Sequence, residues 1–304
     1  MERITLYSLS SDYSSKLYNS GRWIDGAAMR ALEERLQDYL GVKFIVLTNS
    51  GTSSLLAAYW ALKDRFPQGI ITCPYTWPAT YQTSKVLGIP TRYTRLVCRS
   101  RIDLFGDSSD SSIVALVHLF GQPQPHLPRL MESGQPFIED AAQAFGAEYN
   151  GKKVGTFGMI GCYSFYPTKT LHTCGHGGAL STDDEDLYRE MKLFVECGRW
   201  EGKVTQAVAL NLRMDEIKAE FLVWELERYD ERMRTQRDLA KEFQKLIPGP
   251  QPFIEEAPNS RHIYSVFNLL LDKREDFRSF MNDRGIDTMV YYNQDVLPEE
   301  VRGD

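Results

Sequence analysis

One lysine of this sequence differs from the others in its surroundings. Lys169 follows an aromatic, apolar segment that begins at Cys162. Pro167 precedes it by two residues, and a glycine-rich turn follows from Gly175. This lysine therefore lies on no amphipathic helix face, where most lysines are solvated surface charges. A lysine in a partly apolar pocket has a lowered pKa, and its neutral amine can form an imine with an aldehyde.

A carboxylate at the end of an apolar strand is the second candidate. Asp140 belongs to the run F-I-E-D-A-A-Q that starts at Phe137, so it is expected at the carboxyl edge of the sheet, where open α/β sheets bind ligands. A buried carboxylate needs a cationic partner, and both a protonated pyridine nitrogen and a structural arginine would serve. Ala141 and Ala142 leave room for a flat group against the backbone.

The third candidate is the turn Ser50, Gly51, Thr52, placed between an apolar run and a helical pattern. A glycine and hydroxyl groups at a helix N-terminus offer free backbone N–H groups and a side-chain donor to an anion. The same residues are also those of an ordinary helix N-cap, and the turn by itself does not separate the two interpretations.

The elements that must position these residues alternate between helices and strands, which predicts an α/β fold with a large, mostly parallel sheet and a small α+β end. Pro248, Gly249 and Pro250 mark the predicted boundary between a large domain, residues 1–247, and a small C-terminal domain, residues 248–304. The predicted helices are residues 25–40, 51–62, 78–88, 186–195, 215–246 and 274–284, and the predicted strands are 44–47, 70–73, 114–119, 136–138, 263–271 and 289–292.

Composition excludes several classes of protein. Lysine and arginine total 35 against 41 acidic residues, so the net charge is −6, without the basic field of a nucleic-acid binder. The longest apolar stretches have the length of core strands, far short of the ~20 residues of a membrane-spanning helix. The five cysteines are an odd number, widely spaced, which favours reduced thiols in a cytoplasm. We therefore expect a cytoplasmic protein without nucleic-acid or membrane partners.

Motifs around the three candidates occur in a fixed order along the chain. They are S-G-T at Ser50, P-Y-T-W-P-A-T at Pro74, V-H-L-F-G-Q at Val117, E-D-A-A-Q-A-F-G-A at Glu139, S-F-Y-P-T-K at Ser164, G-G-A at Gly177 and N-L-R-M at Asn211. With them the chain resembles the DegT/StrS-type sugar aminotransferases. These enzymes depend on pyridoxal 5'-phosphate (PLP) and belong to fold type I, the aspartate aminotransferase superfamily. The resemblance spans residues 20–240.

The resemblance implies a role for each motif. Lys169 would hold PLP as an internal aldimine and move the proton, and Asp140 would pair with the pyridinium nitrogen. The family's active sites are shared across a homodimer. Gln143 would form a hydrogen bond with the ring hydroxyl, and Trp77 would stack on the ring face. The cofactor phosphate would be bound by Gly51, Thr52 and Ser164. Asn211 would contact the phosphate of the cofactor in the neighbouring subunit.

The reaction implied is a transfer of an amino group from an amino acid, L-glutamate, to a keto sugar, either free or linked to a nucleotide. Sugar dehydratases of the same family replace the lysine with histidine, and Lys169 is retained. A non-catalytic relative, acting as a sensor or partner subunit, is the alternative from another class. The complete set of motif residues argues against it.

Two features depart from the family pattern. His176 stands where relatives commonly carry an acidic residue, and its spacing from His172 is that of a metal pair on a helix. The surrounding glycines oppose a helix and no third ligand is evident, so no metal is expected and the roles of both histidines stay open. The chain also continues only briefly past Tyr292, which predicts a shortened C-terminal domain.

Overall fold

The computed structural model describes residues 21–94, 96–98, 101–102, 111–205, 208–247, 254 and 256–302. The helices are α1 Ala27–Leu40, α2 Gly51–Leu62, α3 Ala79–Val86, α4 Leu127–Ser133, α5 Glu185–Val195, α6 Glu216–Leu226, α7 Tyr229–Leu246 and α8 Arg274–Asn282. The strands are β1 Phe44–Thr48, β2 Ile70–Thr72, β3 Thr91–Tyr93, β4 Leu96–Cys98, β5 Arg101–Ile102, β6 Ile113–Val117, β7 Phe137–Asp140, β8 Glu148–Tyr149, β9 Lys152–Lys153, β10 Gly161–Ser164, β11 Gly178–Thr182, β12 Arg199–Trp200, β13 Lys203–Val204 and β14 Ser260–Arg261. Short 3₁₀ turns cover Leu119–Gly121, Gln294–Val296 and Glu299–Val301.

A seven-stranded sheet forms the centre, in the spatial order β1-β11-β10-β7-β6-β2-β3. Only β11 runs antiparallel to its neighbours β1 and β10, and the other pairs are parallel. The carboxyl ends of the six parallel strands therefore share one edge of the sheet. The predicted α/β class with a mostly parallel sheet is confirmed.

Both faces of the sheet are covered, because successive strand residues point to opposite sides. Along β1, Ile45 and Leu47 pack with Leu32 and Leu36 of α1 on one face, while Val46 belongs to the core cluster on the other face, with residues of α2 and α5. Strands buried on both faces explain the continuous apolar runs in the sequence.

Helix α1 begins two residues later than predicted and ends at Gly41, which has φ +71°. Its N-cap residue, Gly26, has no capping side chain. The carboxylate of Glu216 takes that role, accepting from the backbone N–H groups of Gly26 (2.9 Å) and Ala28 (2.6 Å). A cap from a residue so distant in sequence is invisible to local pattern analysis.

The long helix predicted over residues 215–246 is wrong in one respect, because it is two helices. Helix α6 ends at Leu226 and α7 begins at Tyr229. The change of direction lets the fully buried ring of Tyr229 pack in the same core as Phe145, whose carbonyl accepts a hydrogen bond from the tyrosine hydroxyl.

Two strands predicted near the C-terminus are also wrong. Residues 263–271 form no continuous strand; the backbone turns at Tyr264, where φ is +50° and the N–H donates to Nδ1 of His262. Residues 289–292 pair with no strand, and the N–H of Tyr292 donates instead to the hydroxyl of Tyr75 at 2.8 Å. In both places side chains satisfy polar groups that a ladder would otherwise pair.

The predicted domain boundary at Pro248, Gly249 and Pro250 lies outside the described residues, so the division into residues 1–247 and 248–304 stays a prediction. No helix within the described ranges combines the length and apolar character needed to cross a bilayer. Four of the five cysteines have described side chains, and all four are free thiols: Cys73, Cys162, Cys174 and Cys197.

Candidate active site

The carboxyl edge of the sheet carries the three candidate segments. Asp140 is the last residue of β7, and Lys169 lies in the turn after β10, the strand beside β7. The turn at Ser50 follows β1, which lies beyond β11. Parallel strand direction therefore brings together residues that are far apart in sequence, and Asp140 lies at the carboxyl edge where the sequence predicted it.

The carboxylate of Asp140 is buried, with 5% of the residue exposed. Its Oδ2 accepts from Oγ1 of Thr80 at 2.7 Å, and its Oδ1 accepts from the N–H of Ala142 at 3.1 Å. Burial raises the pKa of Asp140, and these two donors oppose the rise. Within the described part of the chain, no basic side chain forms a salt bridge with it. The structural arginine considered from the sequence is absent from that part of the chain.

The amine of Lys169 interacts electrostatically with the carboxylate of Asp140. Burial lowers the pKa of Lys169, and the charge of Asp140 opposes that shift. No acidic side chain of the described residues forms a salt bridge with the lysine. A lowered pKa was the property predicted from its surroundings, and it leaves more of the amine neutral and nucleophilic.

The N-terminus of α2 and the end of β10 come into close contact. The Oγ of Ser50 accepts from the N–H of Ser53 at 3.1 Å, so Ser50 is an N-cap. The first N–H groups of a helix have no acceptor within it, which leaves those of Gly51 and Thr52 available to an anion. A Cβ on Gly51 would lie 2.6 Å from the Cβ of Ser164, so only glycine fits.

Gln143 has both ends of its amide engaged. Its Oε1 accepts from the N–H of Phe120 at 2.8 Å, and its Nε2 donates to the hydroxyl of Tyr292 at 2.5 Å. Trp77 lies in the turn between β2 and α3 and is 58% exposed, so it is no part of the core. The rings of Trp77 and Tyr292 are 6.4 Å apart.

Tyr292 is the residue at this site that sequence reasoning missed. It lies between Gln143 and Trp77, and burial raises the pKa of its phenol, with a further rise from the charge of Asp140. The pair of tyrosines after Val290 was interpreted only as part of a short strand. No local signal connects it to residues more than a hundred positions earlier.

Asn211 precedes Leu212, whose carbonyl accepts from the N–H of Asn49 at 2.7 Å, next to the turn at Ser50. Asn211 is exposed, forms an isolated bridge with Glu196, and accepts from Nε of Arg213 at 3.3 Å. No hydrogen bond joins it to the other candidate residues across the described chain. Its implied contact with a neighbouring subunit is therefore untested by a single chain.

Neither histidine of the H-x3-H pair takes part in a metal cluster in the portion of the chain that is described. The ring of His176 lies 5.3 Å from that of Tyr166. The Nε2 of His172 lies 3.9 Å from a carboxylate oxygen of Glu225, and its other nitrogen lies 3.2 Å from the carbonyl of Lys169.

Directly beside Asp140, Glu139 organises the backbone around β7. Its fully buried carboxylate accepts from the N–H groups of Gly155 (2.7 Å), Phe157 (2.6 Å) and Gly158 (2.8 Å). It also meets Nε2 of His118 at 2.9 Å. The imidazole Nδ1 accepts from a backbone N–H, so the proton lies on Nε2 and is donated to the carboxylate.

We expect Glu139→Gln to lower the free energy of unfolding by about 1.5–3 kcal/mol, the range for hydrogen bonds to a charged group. A glutamine amide would turn one NH₂ group toward donors that need an acceptor. Urea denaturation of the variant would measure the loss. The exposed Glu132→Gln serves as the control and should leave the midpoint unchanged; an equal midpoint for both variants would contradict this role.

The sequence matches the DegT/DnrJ/EryC1/StrS aminotransferase family over residues 9–300. The chain belongs to this family. It is 29% identical to the UDP-2-acetamido-2-deoxy-3-oxo-D-glucuronate aminotransferase of Pseudomonas aeruginosa, covering 91% of this chain and 80% of the relative. It is 30% identical to the UDP-N-acetyl-3-dehydro-alpha-D-glucosamine 3-aminotransferase of Acidithiobacillus ferrooxidans, covering 91% and 78%.

A crystal structure of a related protein has the same fold as this chain. S. venezuelae DesV, crystallised in complex with a ketimine intermediate, is 26% identical to this aminotransferase and superimposes with a TM-score of 0.81. The match covers 91% of this chain and 77% of DesV. The resemblance to sugar aminotransferases and the fold type expected from the sequence are thereby confirmed.

Proposed function

We propose that this aminotransferase uses PLP to move an amino group from L-glutamate to the keto group of a nucleotide-linked sugar. The observation that carries the proposal is the buried carboxylate of Asp140, which forms no salt bridge within the described chain and lies near a lysine of lowered pKa. A buried anion of this kind suits a cationic ring nitrogen. PLP supplies a protonated pyridine ring that withdraws electrons from the substrate carbon.

The residues present fit that cofactor. Asp140, fixed by Thr80 and Ala142, would keep the ring nitrogen protonated. Lys169 would bond the cofactor aldehyde through its neutral amine and later carry the proton at its Nζ. The exposed ring of Trp77 offers a surface for stacking. Gln143 would direct an N–H of its Nε2 to the ring hydroxyl. The N–H groups of the α2 turn would hold the phosphate, with the residues Gly51, Thr52 and Ser164.

The substrate class follows from the names of the relatives. Both relatives act on UDP-linked 3-keto sugars, as their names state. We extend that class to this chain, with a keto sugar as the acceptor and L-glutamate as the donor. We also propose a cytoplasmic location, with which the four free thiols of the described residues agree.

We also infer a homodimer in which Asn211 contacts the cofactor phosphate bound to the partner. Asn211 is exposed and forms no hydrogen bond to the other candidates within the described chain, which supports this arrangement. In a mixture of Lys169→Ala and Asn211→Ala subunits, each hybrid dimer then has one intact and one doubly altered site. Random pairing should give activity at about one quarter of the wild-type sites.

Unfolding and refolding the two variants together, then assaying, measures that recovery. Each variant refolded alone is the control. Activity no higher than the mean of the two separate variants would show that Asn211 serves its own chain or no site at all.

The proposed function is tested by an absorbance spectrum of the purified protein with PLP, before and after L-glutamate. We expect a visible band that shifts to the near ultraviolet when glutamate is added. Borohydride treatment followed by peptide mass spectrometry should find the cofactor on Lys169. A bound cofactor that ignores glutamate would exclude this donor, and no binding would favour the non-catalytic alternative.

A further inference from the structure

The turn that carries Lys169 is tied to the two helices that follow the sheet. The carbonyl of Thr170 accepts from a guanidinium nitrogen of Arg232 at 2.6 Å, and its Oγ1 lies 3.1 Å from the hydroxyl of Tyr229. The hydroxyl of Thr173 donates to the carbonyl of Lys218 at 3.0 Å. Residues 169–173, which we name the lysine turn, thus depend on α6 and α7 for their position.

His172 braces the lysine turn from within. Its Nδ1 lies 3.2 Å from the carbonyl oxygen of Lys169. Because a carbonyl can only accept, the imidazole proton lies on Nδ1 and is donated to this oxygen. Burial lowers the pKa of His172, and the nearby charge of Arg232 lowers it further, against the opposing charge of Glu225. The imidazole is therefore neutral near pH 7.

Arg232 joins this turn to a buried charge. One of its guanidinium nitrogens pairs with Oε2 of Glu225, whose side chain is 2% exposed, while the other donates to Thr170. The same Oε2 lies 3.9 Å from His172. A planar guanidinium can hold both partners at once, whereas an ammonium group offers a single charged centre. Of this pair only Glu225 is buried, since the side chain of Arg232 is 35% exposed, and removing the arginine would leave a buried carboxylate without its cation.

We propose that Arg232, together with Glu225, is a positioning residue that holds the lysine turn so that the amine of Lys169 stays in its desolvated place beside Asp140. This proposal rests on the proposed function of Lys169. Neither residue touches the candidate cofactor site, and both act through the backbone of Thr170 and the ring of His172.

Loss of the Arg232 guanidinium should therefore change the pKa of the Lys169 amine, and not only the stability of the protein. Lys169 is half-buried in the wild type, and without the contact of Arg232 to Thr170 we expect the turn to shift and to expose Nζ further to water. Desolvation is the main cause that lowers the pKa of this lysine, and Asp140 is the charged group that faces it. The pKa of Lys169 should then rise toward its ordinary value, and a rise of one unit leaves about tenfold less neutral amine at neutral pH.

The test is trace acetylation of the cofactor-free protein with acetic anhydride over neutral to alkaline pH. Mass spectrometry of the Lys169 peptide gives the pKa of this amine. In Arg232→Ala we expect a raised pKa and about tenfold slower labelling at neutral pH. Arg232→Lys should fall between this variant and the wild type. Arg228→Ala removes an arginine just ahead of the same helix, one that packs on Trp224, and should leave the labelling unchanged.

The proposal would be overturned by a variant with a lower melting temperature whose Lys169 is acetylated at the wild-type rate. Arg232 and Glu225 would then contribute to stability only. If Arg232→Ala does not fold, Glu225→Gln removes the charge that holds the guanidinium and should raise the pKa of Lys169 in the same direction. Labelling needs no cofactor. Failure of wild-type Lys169 to bond PLP would instead refute the proposed function, so the two failures are distinguishable.

Discussion

Lys169→Ala is expected to abolish covalent attachment of PLP and to reduce the transamination rate by at least about 10³-fold, within the range lost with a general acid–base group. The methyl side chain can neither bond the cofactor aldehyde nor carry a proton. The fold should persist, because the amine forms no salt bridge within the described chain and the turn is held by contacts at Thr170 and Thr173, not by the lysine side chain. Single-turnover kinetics and the visible band of the bound cofactor measure the two losses.

Lys43→Ala is the matched control for this change. Lys43 is exposed and lies just before β1, at the edge of the sheet opposite the candidate site. Its removal should leave both the band and the rate unchanged. A Lys169→Ala protein that keeps the visible band would show that another lysine bonds the cofactor, and the assignment would be wrong.

Asp140→Asn should cost activity on the order of 10³-fold, comparable with the loss of a key electrostatic contact in other active sites. An amide cannot keep a pyridine nitrogen protonated, so the ring would no longer withdraw electrons effectively. The amide oxygen can still accept from Ala142, and the hydroxyl of Thr80 can turn to the carbonyl of Trp77, 3.1 Å away. The local fold is therefore preserved, and a rate near the wild-type value would contradict the role.

The same substitution should stabilise the protein when no cofactor is present, by about 1–3 kcal/mol, the order of the desolvation penalty of a buried polar group. Because burial raises the pKa of Asp140 above its value in the unfolded chain, the native state holds the proton more tightly. Stability of the wild type therefore falls as pH rises from the unfolded-state pKa through the native one. The gain in free energy of unfolding of Asp140→Asn over the wild type should therefore be largest at neutral pH and vanish in acid.

Denaturation midpoints of both proteins at neutral and acidic pH measure this difference. Opposite signs for activity and stability would mark Asp140 as a residue kept for function at the expense of the fold. A variant that is less stable at neutral pH would show that the carboxylate is satisfied by the protein itself, without a cationic ligand.

Sequence reasoning could single out Lys169 and Asp140 because their signals are local. Each follows an apolar strand, and parallel strands place their ends at one edge. The lowered pKa of Lys169 was predicted for the same reason. The function of the turn at Ser50 was ambiguous, since an N-cap and an anion site use the same residue types. The approach of Gly51 to Ser164 was not visible in the sequence.

Other features could not be predicted from the sequence, because they depend on residues that are distant along the chain. The sequence assigned no role to Glu139, yet its carboxylate accepts hydrogen bonds from three backbone N–H groups of residues 155–158. Tyr292 reaches Gln143 from a segment interpreted as a strand. The helix predicted over residues 215–246 breaks where the packing of Tyr229 demands it, and periodicity alone carries no information about that demand.

The cap on α1 has a consequence for how the molecule is made. Among the described strands β1 pairs with β11 alone, and the N-terminus of α1 is satisfied by Glu216. Both early elements therefore wait for partners that leave the ribosome well over a hundred residues later. Loop closure must precede these contacts, so the chain has a high contact order and should fold slowly. The polar and apolar groups that await these late partners stay uncovered during synthesis, and chaperones that shield nascent chains should raise its yield.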